Sequence, residues 1–202
     1  PRTITLTTNN RKCDYINQNS LKNIKNKLYE FEAKIEGNFN VNMPTPKLLN
    51  LKVGAKVMFT KNESLWVNGT LGEVVNIYSD VILVKLQNSN KIVTVEKSTW
   101  ENKKYDLVNG ELSSKTVGKF TQFPLTLAWA ITIHKSQGLT LDDMLIDLDT
   151  GAFVAGQVYV ALSRCKNLNN ISLARPISMS DVSVDKRVID FYNSLFENFQ
   201  EL

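Results

Sequence analysis

Thr132, His134 and Ser136 stand two apart, and Gln137 and Gly138 follow at once. Hydroxyls and an imidazole at a strand-to-helix junction donate to phosphate oxygens, helped by the N–H groups of the helix start, and a glycine lets backbone come close to a ligand. The plainer alternative is that His134, the single histidine, has its bonds satisfied at a junction and that Gly138 serves a turn. Arg164 is the second point of interest, closing the segment GQVYVALSR that begins at Gly156. An arginine at the end of a helix, after small and polar residues, reaches across a cleft to a phosphate and stabilises charge that develops only in a transition state. The same arginine makes a surface ion pair with an acid equally well, and spacing alone leaves both open.

A phosphate cradle of the GxxxxGK[ST] type, in which backbone donors wrap the phosphates and a lysine neutralises them, does not occur in the chain. Gly118-Lys119 runs into Phe120 with no glycine-rich loop before it. Asp147 and Asp149 follow an apolar run, but with no cradle before them they read as strand-end residues. Such a chain does not hydrolyse a nucleotide alone by this chemistry, although it could complete a site held by another domain. It starts with Pro1, so a piece of a longer protein is expected. One histidine and two widely separated cysteines make no metal-ligand spacing. Without a secretion signal, Cys13 and Cys165 are expected to be free thiols.

These residues need a scaffold. The chain has 202 residues, 43% hydrophobic and 22% charged, as in ordinary globular domains. No apolar run reaches a membrane span. The net charge of +4 permits a polyanionic partner, while the lysines at 22, 25 and 27 read as a solvated face. Residues 3–8 read as a strand, with Asn9 and Asn10 as cap candidates for a helix over 11–21. Strict alternation over 29–35 predicts one half-buried strand. Met43-Pro44-Thr45-Pro46 reads as a linker. Short strands over 53–59, 72–78, 81–86 and 91–96, with turns at Asn68-Gly69 and 88–90, predict a small barrel that runs to about Gly118. Beyond Pro124 the pattern predicts strands at 125–130, 144–148 and 170–174, a first helical turn over 133–137 and a helix over 154–162. An amphipathic helix over 183–196 follows, capped by Ser183, with Val184, Val188, Phe191 and Leu195 on one face. Strands alternating with helices argue for a parallel α/β sheet, here interrupted by an all-β insertion.

Several segments, in order, resemble the C-terminal half of superfamily-1B DNA helicases of the petite-integration-frequency (Pif), RecD and Dda type. Leu6-Thr7-Thr8-Asn9-Asn10 with Asp14-Tyr15-Ile16-Asn17 resembles motif IV. The segments 51–58 and 67–72 resemble an inserted SH3-like barrel. Residues 128–141 are similar to motif V, and 156–164 with Cys165 and Lys166 to motif VI. The resemblance implies a RecA-like parallel-sheet domain, 2A, over 1–48 and 119–202, interrupted by an SH3-like all-β barrel, 2B, over 49–118. It implies Arg164 as an arginine finger, with Gln137, Gly138 and Gln157 also on the ATP side and Tyr159 in support. It implies Thr8, Asn9, Thr132, His134 and Ser136 on single-stranded DNA. The place of a motif IV arginine found in some relatives holds Thr7, with Arg11 a few residues on, so no second arginine contact is carried over. ATP and Mg2+ belong to the intact protein, with neither held by this piece alone. The partners implied are single-stranded DNA and an N-terminal RecA-like domain, with no membrane and a cytoplasmic place, nucleoid-associated if bacterial. The activity implied is ATP-dependent DNA unwinding with 5′-to-3′ polarity. The alternatives are a non-motor nucleic-acid-binding module and an interaction subunit of a nuclease complex.

Overall fold

The computed structural model describes residues 3–39, 43–87, 89–108 and 111–200. In chain order its strands are β1 (Ile4–Thr7), β2 (Tyr29–Glu32), β3 (Lys34–Gly37), β4 (Leu48–Leu51), β5 (Lys56–Phe59), β6 (Leu71–Ile77) and β7 (Ile82–Leu86). They continue with β8 (Ile92–Val95), β9 (Ser98–Val108), β10 (Glu111–Gln122), β11 (Leu125–Leu127), β12 (Ala130–Thr132), β13 (Met144–Asp147) and β14 (Ile171–Leu173). The helices are α1 (Asn10–Asn23), α2 (Gln157–Leu162) and α3 (Lys186–Gln200). Two compact units result, one from Pro1–Asn17 with Trp129–Leu202 and the other from Gln18–Ala128. The 49–118 stretch lies inside the second unit, which also takes in 18–48 and 119–128.

The first unit is built on a parallel sheet in the order β12-β1-β13-β14. Ile4, Leu6, Ile131, Met144 and Ile146 are buried in it, as the apolar runs predict. The register sets Thr7 opposite Thr132 on one side and Asp147 on the other, so the polar ends of three strands come level at the carboxyl edge. In open parallel sheets that edge is where ligands bind.

β12 is an edge strand, and its outer backbone groups need partners. Asn17 provides them. Its Oδ1 accepts from the Ala130 N–H at 2.9 Å and its Nδ2 donates to the Ala130 carbonyl at 2.9 Å. Cys13 donates to the same carbonyl from its buried thiol, whose pKa is pushed up to about 11, chiefly by burial. At neutral pH it is a packed thiol and not a nucleophile. Both cysteines are free, as expected.

Three expectations about elements are corrected. The apolar run at 125–130 is two strands in different sheets: β11 pairs antiparallel with β5, whereas β12 pairs parallel with β1. A continuous apolar run carries no periodicity that marks such a break. The alternating run at 29–35 splits at Ala33, whose N–H donates to the Lys47 carbonyl; β2 pairs with β4 and β3 with β10. The C-terminal helix starts at Lys186, and its cap is Asp185, whose carboxylate accepts from the Arg187 N–H at 2.9 Å, not Ser183. Val184, Val188, Phe191 and Leu195 are all exposed.

In the second unit β5 to β8 form an antiparallel sheet with β11 at one edge. Gly69 turns with positive φ at the third position of the 67–70 turn, as the Asn68-Gly69 pair predicts. Asn88, in the other predicted turn, lies outside the described residues. The long β9–β10 hairpin, with β3 beside it, is not legible from the sequence, because Glu101, Lys103, Lys104, Asp106 and Lys115 break any apolar alternation. Gly118 lies where β10 shifts register, and a Cβ there would come within 2.2 Å of the Asn38 carbonyl oxygen. That close backbone approach, and not phosphate binding, accounts for the glycine before Lys119.

Candidate functional site

The carboxyl edge of the parallel sheet collects most of the predicted site residues. Thr8 and Asn9 leave β1, Thr132 closes β12, and His134 opens a 3-10 turn over His134–Ser136. Together with Lys135 and Phe153 they line a depression of about 380 Å³.

Hydroxyl bonding separates the predicted contacts. Thr8 Oγ1 accepts from Asn9 Nδ2 at 3.4 Å, and Thr132 Oγ1 accepts from the Lys135 N–H at 3.3 Å. Both residues are buried where they line the depression, and each hydroxyl accepts one bond while its own proton stays available to donate. Ser136 differs. It is fully buried, and its Oγ donates to the Ile133 carbonyl at 2.7 Å. Its hydroxyl closes the turn that carries His134. Thr7 is likewise buried and donates to the Asn9 carbonyl at 3.1 Å. Asn9 caps α1, its Oδ1 accepting from the Lys12 N–H at 2.9 Å, which fixes the strand-to-helix corner. His134 and Lys135 are exposed beside it.

Asp147 and Asp149 are strand-end residues, as the sequence reading has them. Lys12 holds both, at 2.8 Å and 3.1 Å, and its pKa is raised, first by the hydrogen bond to Asp147 and against the opposing effect of burial. Asp149 adopts positive φ, with its N–H donated to Asp147 Oδ1 at 3.0 Å. Lys12 lies between the two segments that resemble motif IV, and nothing in the sequence signals a pairing over such a separation.

Gln157 opens α2 and is buried. Its Oε1 accepts from the Phe153 N–H at 3.1 Å and its Nε2 donates to the Thr8 carbonyl at 3.4 Å. These bonds make it a strut between the end of β1 and the 148–156 loop. Gly156 before it needs its positive φ to start the helix.

Arg164 follows α2 and is half-buried. Its Nε donates to the Val160 carbonyl at 3.0 Å, Nη1 to the Leu139 carbonyl at 3.4 Å and Nη2 to Ser163 Oγ at 2.9 Å. Among the described residues no carboxylate pairs with it, so the ion-pair alternative is not what this fold uses. Nη1 and Nη2 each keep a second N–H. The bond to Leu139 ties the guanidinium to the loop of Gln137 and Gly138, both exposed. Gly138 has φ +80°, with open space where a Cβ would lie. Tyr159 is exposed on the helix before Arg164.

A second charged cluster braces the loop. Arg175 grips the buried Asp181 with two bonds, at 2.8 Å and 2.6 Å, while the Ser178 N–H and the Ala152 N–H donate to the same carboxylate. The Asp181 carboxyl is held well below its ordinary value, first by Arg175 and then by Ser178. The folded state thus takes up this proton at a lower pH than the unfolded chain. Its contribution to stability is complete above the unfolded carboxyl range of about 4 and is lost as pH falls from there toward the folded value. Denaturant titrations between pH 6 and pH 2 are expected to show stability dropping below about pH 4, with a shallower drop in Asp181→Asn.

The parallel-sheet unit thus carries hydroxyl, amide, imidazole and ammonium groups at its carboxyl edge, and an arginine that no carboxylate among the described residues pairs beside the loop of Gly138. Comparison with known proteins gives the particular family. The chain is 40% identical to the ATP-dependent DNA helicase Pif1 of Bdellovibrio bacteriovorus over 151 residues, 74% of this chain and 32% of that protein. The crystal structure of Bacteroides sp Pif1 in complex with ADP-AlF4 superposes with a TM-score of 0.85 at 37% identity, over 98% of this chain and 46% of that one. Bacteroides Pif1 bound to ssDNA gives a TM-score of 0.78 at 37% identity, over 97% of this chain and 46% of that one. No family model matches. The chain is a homologue of the Pif1-type superfamily-1B helicases and spans about a third to a half of the length of these relatives. Among the described residues no helix is long and apolar enough to cross a membrane.

Proposed function

We propose that this chain is the second RecA-like half, domain 2A with an SH3-like 2B insertion, of an ATP-dependent Pif1-type DNA helicase. Residues 1–48 and 119–202 form 2A and 49–118 form 2B. Arg164 is the arginine finger for ATP bound by an N-terminal RecA-like domain, with Gln137 and Gly138 beside the γ-phosphate. Gln157 supports this side from within the fold. Thr8, Asn9, Thr132, His134 and Ser136 make up the single-stranded DNA side, Ser136 by closing the turn that carries His134. The observation that carries this reading is Arg164, anchored on the loop of Gly138 and unmatched by any acid among the described residues.

ATP supplies the free energy of hydrolysis to such a cleft. Of its surroundings, this chain fits the γ-phosphate side alone. Asp147 and Asp149 are taken up by Lys12, so Mg2+ falls to the other domain. The fit of ADP-AlF4 and of ssDNA to a Bacteroides relative supports both ligands. Closure of the cleft makes the grip of Arg164 depend on the γ-phosphate, and the 132–138 segment passes that closure to the strand.

The test measures phosphate release and oligonucleotide binding by the chain alone and when it is joined to a Pif1-type N-terminal RecA-like domain. The chain alone is expected to bind single-stranded DNA, weakening steeply with salt, without turning over ATP. Turnover by the chain alone overturns the assignment of the phosphate site.

A further inference from the structure

We propose that Phe153 is a stacking platform for one base of the single strand held at the carboxyl edge of the parallel sheet. The proposal rests on the nucleic-acid reading above and adds a contact that neither motif V nor motif VI contains. The ring is 68% exposed and lines the same depression as Thr8, Asn9, Thr132, His134 and Lys135. Those five offer hydroxyl, amide, imidazole and ammonium donors for phosphate oxygens. Phe153 is the one aromatic among them and has no phosphate chemistry.

An exposed aromatic on a loose loop would be unremarkable, but this loop is fixed. The Asp149 N–H donates to Asp147 Oδ1 at 3.0 Å and the Gly151 N–H to the Leu148 carbonyl at 2.9 Å. The Ala152 N–H donates to Asp181 Oδ1 at 3.3 Å and the Phe153 N–H to Gln157 Oε1 at 3.1 Å. Gln157 in turn bonds the Thr8 carbonyl, tying the ring's backbone to the strand end that carries the phosphate donors. Of its chain neighbours, Gly151, Ala152, Ala155 and Gly156 have little or no side chain, and Val154 is itself exposed. A ring held in place, left uncovered and set beside phosphate donors matches how proteins bind single strands without regard to sequence, by tracking the backbone with polar groups and stacking bases on aromatics.

The experiment measures the affinity of the 202-residue chain for a labelled oligo-dT by fluorescence anisotropy, alongside Phe153→Ala, Phe153→Leu and Phe153→Trp. An oligonucleotide with abasic sites is measured in parallel. The alanine and leucine variants are expected to bind oligo-dT about tenfold more weakly, while tryptophan binds at least as tightly as phenylalanine. On the abasic strand the difference between wild type and alanine disappears. Thermal melts of the variants coincide with wild type, because the ring is not part of the core. Equal binding of wild type and alanine to oligo-dT overturns the stacking role and leaves the nucleic-acid reading standing. A loss that persists on the abasic strand also overturns it. Failure of the wild type to bind at low salt removes the nucleic-acid reading itself, and the proposal with it.

Discussion

Replacing Arg164 with alanine in the intact polypeptide is expected to lower DNA-stimulated ATP hydrolysis by about three to five powers of ten, with ATP and DNA binding largely retained. The size follows from where the charge acts. A guanidinium in a closed, water-poor cleft stabilises charge that builds on the transferring phosphoryl group, so its removal raises the barrier more than it weakens ground-state binding. Lysine at 164 is expected to restore little. The observed guanidinium uses one N–H on each nitrogen to hold itself against Val160, Leu139 and Ser163, leaving the second N–H of each Nη to turn outward. An ammonium cannot keep those anchors and reach a phosphate as well. Steady-state phosphate release, with separate equilibrium binding of a non-hydrolysable nucleotide and of an oligonucleotide, checks this. Unchanged turnover rejects the finger, and loss of nucleotide binding alone reassigns the residue to ground-state affinity.

Asn17→Ala is expected to destabilise the parallel-sheet unit by about 1–3 kcal/mol, the desolvation penalty of one buried backbone group left without a partner, with a smaller loss at a second. The Ala130 N–H loses its acceptor outright, and the Ala130 carbonyl keeps only the weak thiol donor of Cys13. Asn17→Asp is expected to be at least as damaging, since it retains the acceptor, removes the donor and buries a charge. Urea unfolding followed by a probe in the parallel-sheet unit measures the loss. A midpoint shift under about 0.5 kcal/mol, the scale of an ordinary surface substitution, would show that water replaces the side chain. The same variants are expected to bind single-stranded DNA more weakly, because β12 runs straight into Thr132 and His134.

Most of the parallel-sheet unit was legible in the sequence, since its signals are local. Strands show as β-branched alternation at 3–8 and as an apolar run at 144–148. Asn9 shows as a cap because asparagine before a helix satisfies an N–H that has no other partner, and it does so for Lys12. The segment 132–138 and Arg164 stood out as residue types at fixed spacing. Less legible was anything decided by a partner far along the chain. The break between β11 and β12 depends on which sheet each half joins. The charged β9–β10 hairpin depends on backbone pairing and not on an apolar face. Lys12, paired with Asp147 and Asp149, was invisible as a pair.

The site divides in the same way. The amino-acid order by itself determined which residues were available for phosphate and nucleic-acid chemistry, and that no phosphate cradle of the common type lies among them, because both are statements about residue types and short spacings. Tertiary structure alone decided which of those side chains are already engaged within the fold. Ser136 and Gln157 are polar residues in the right motifs, yet their side chains are consumed by the Ile133 carbonyl, the Phe153 N–H and the Thr8 carbonyl. Thr8 and Thr132 keep a proton to give, and Phe153 keeps its ring uncovered. A buried polar group must bond to whatever the fold brings within reach, and that partner is set by the packing of distant segments, which short-range sequence pattern does not encode.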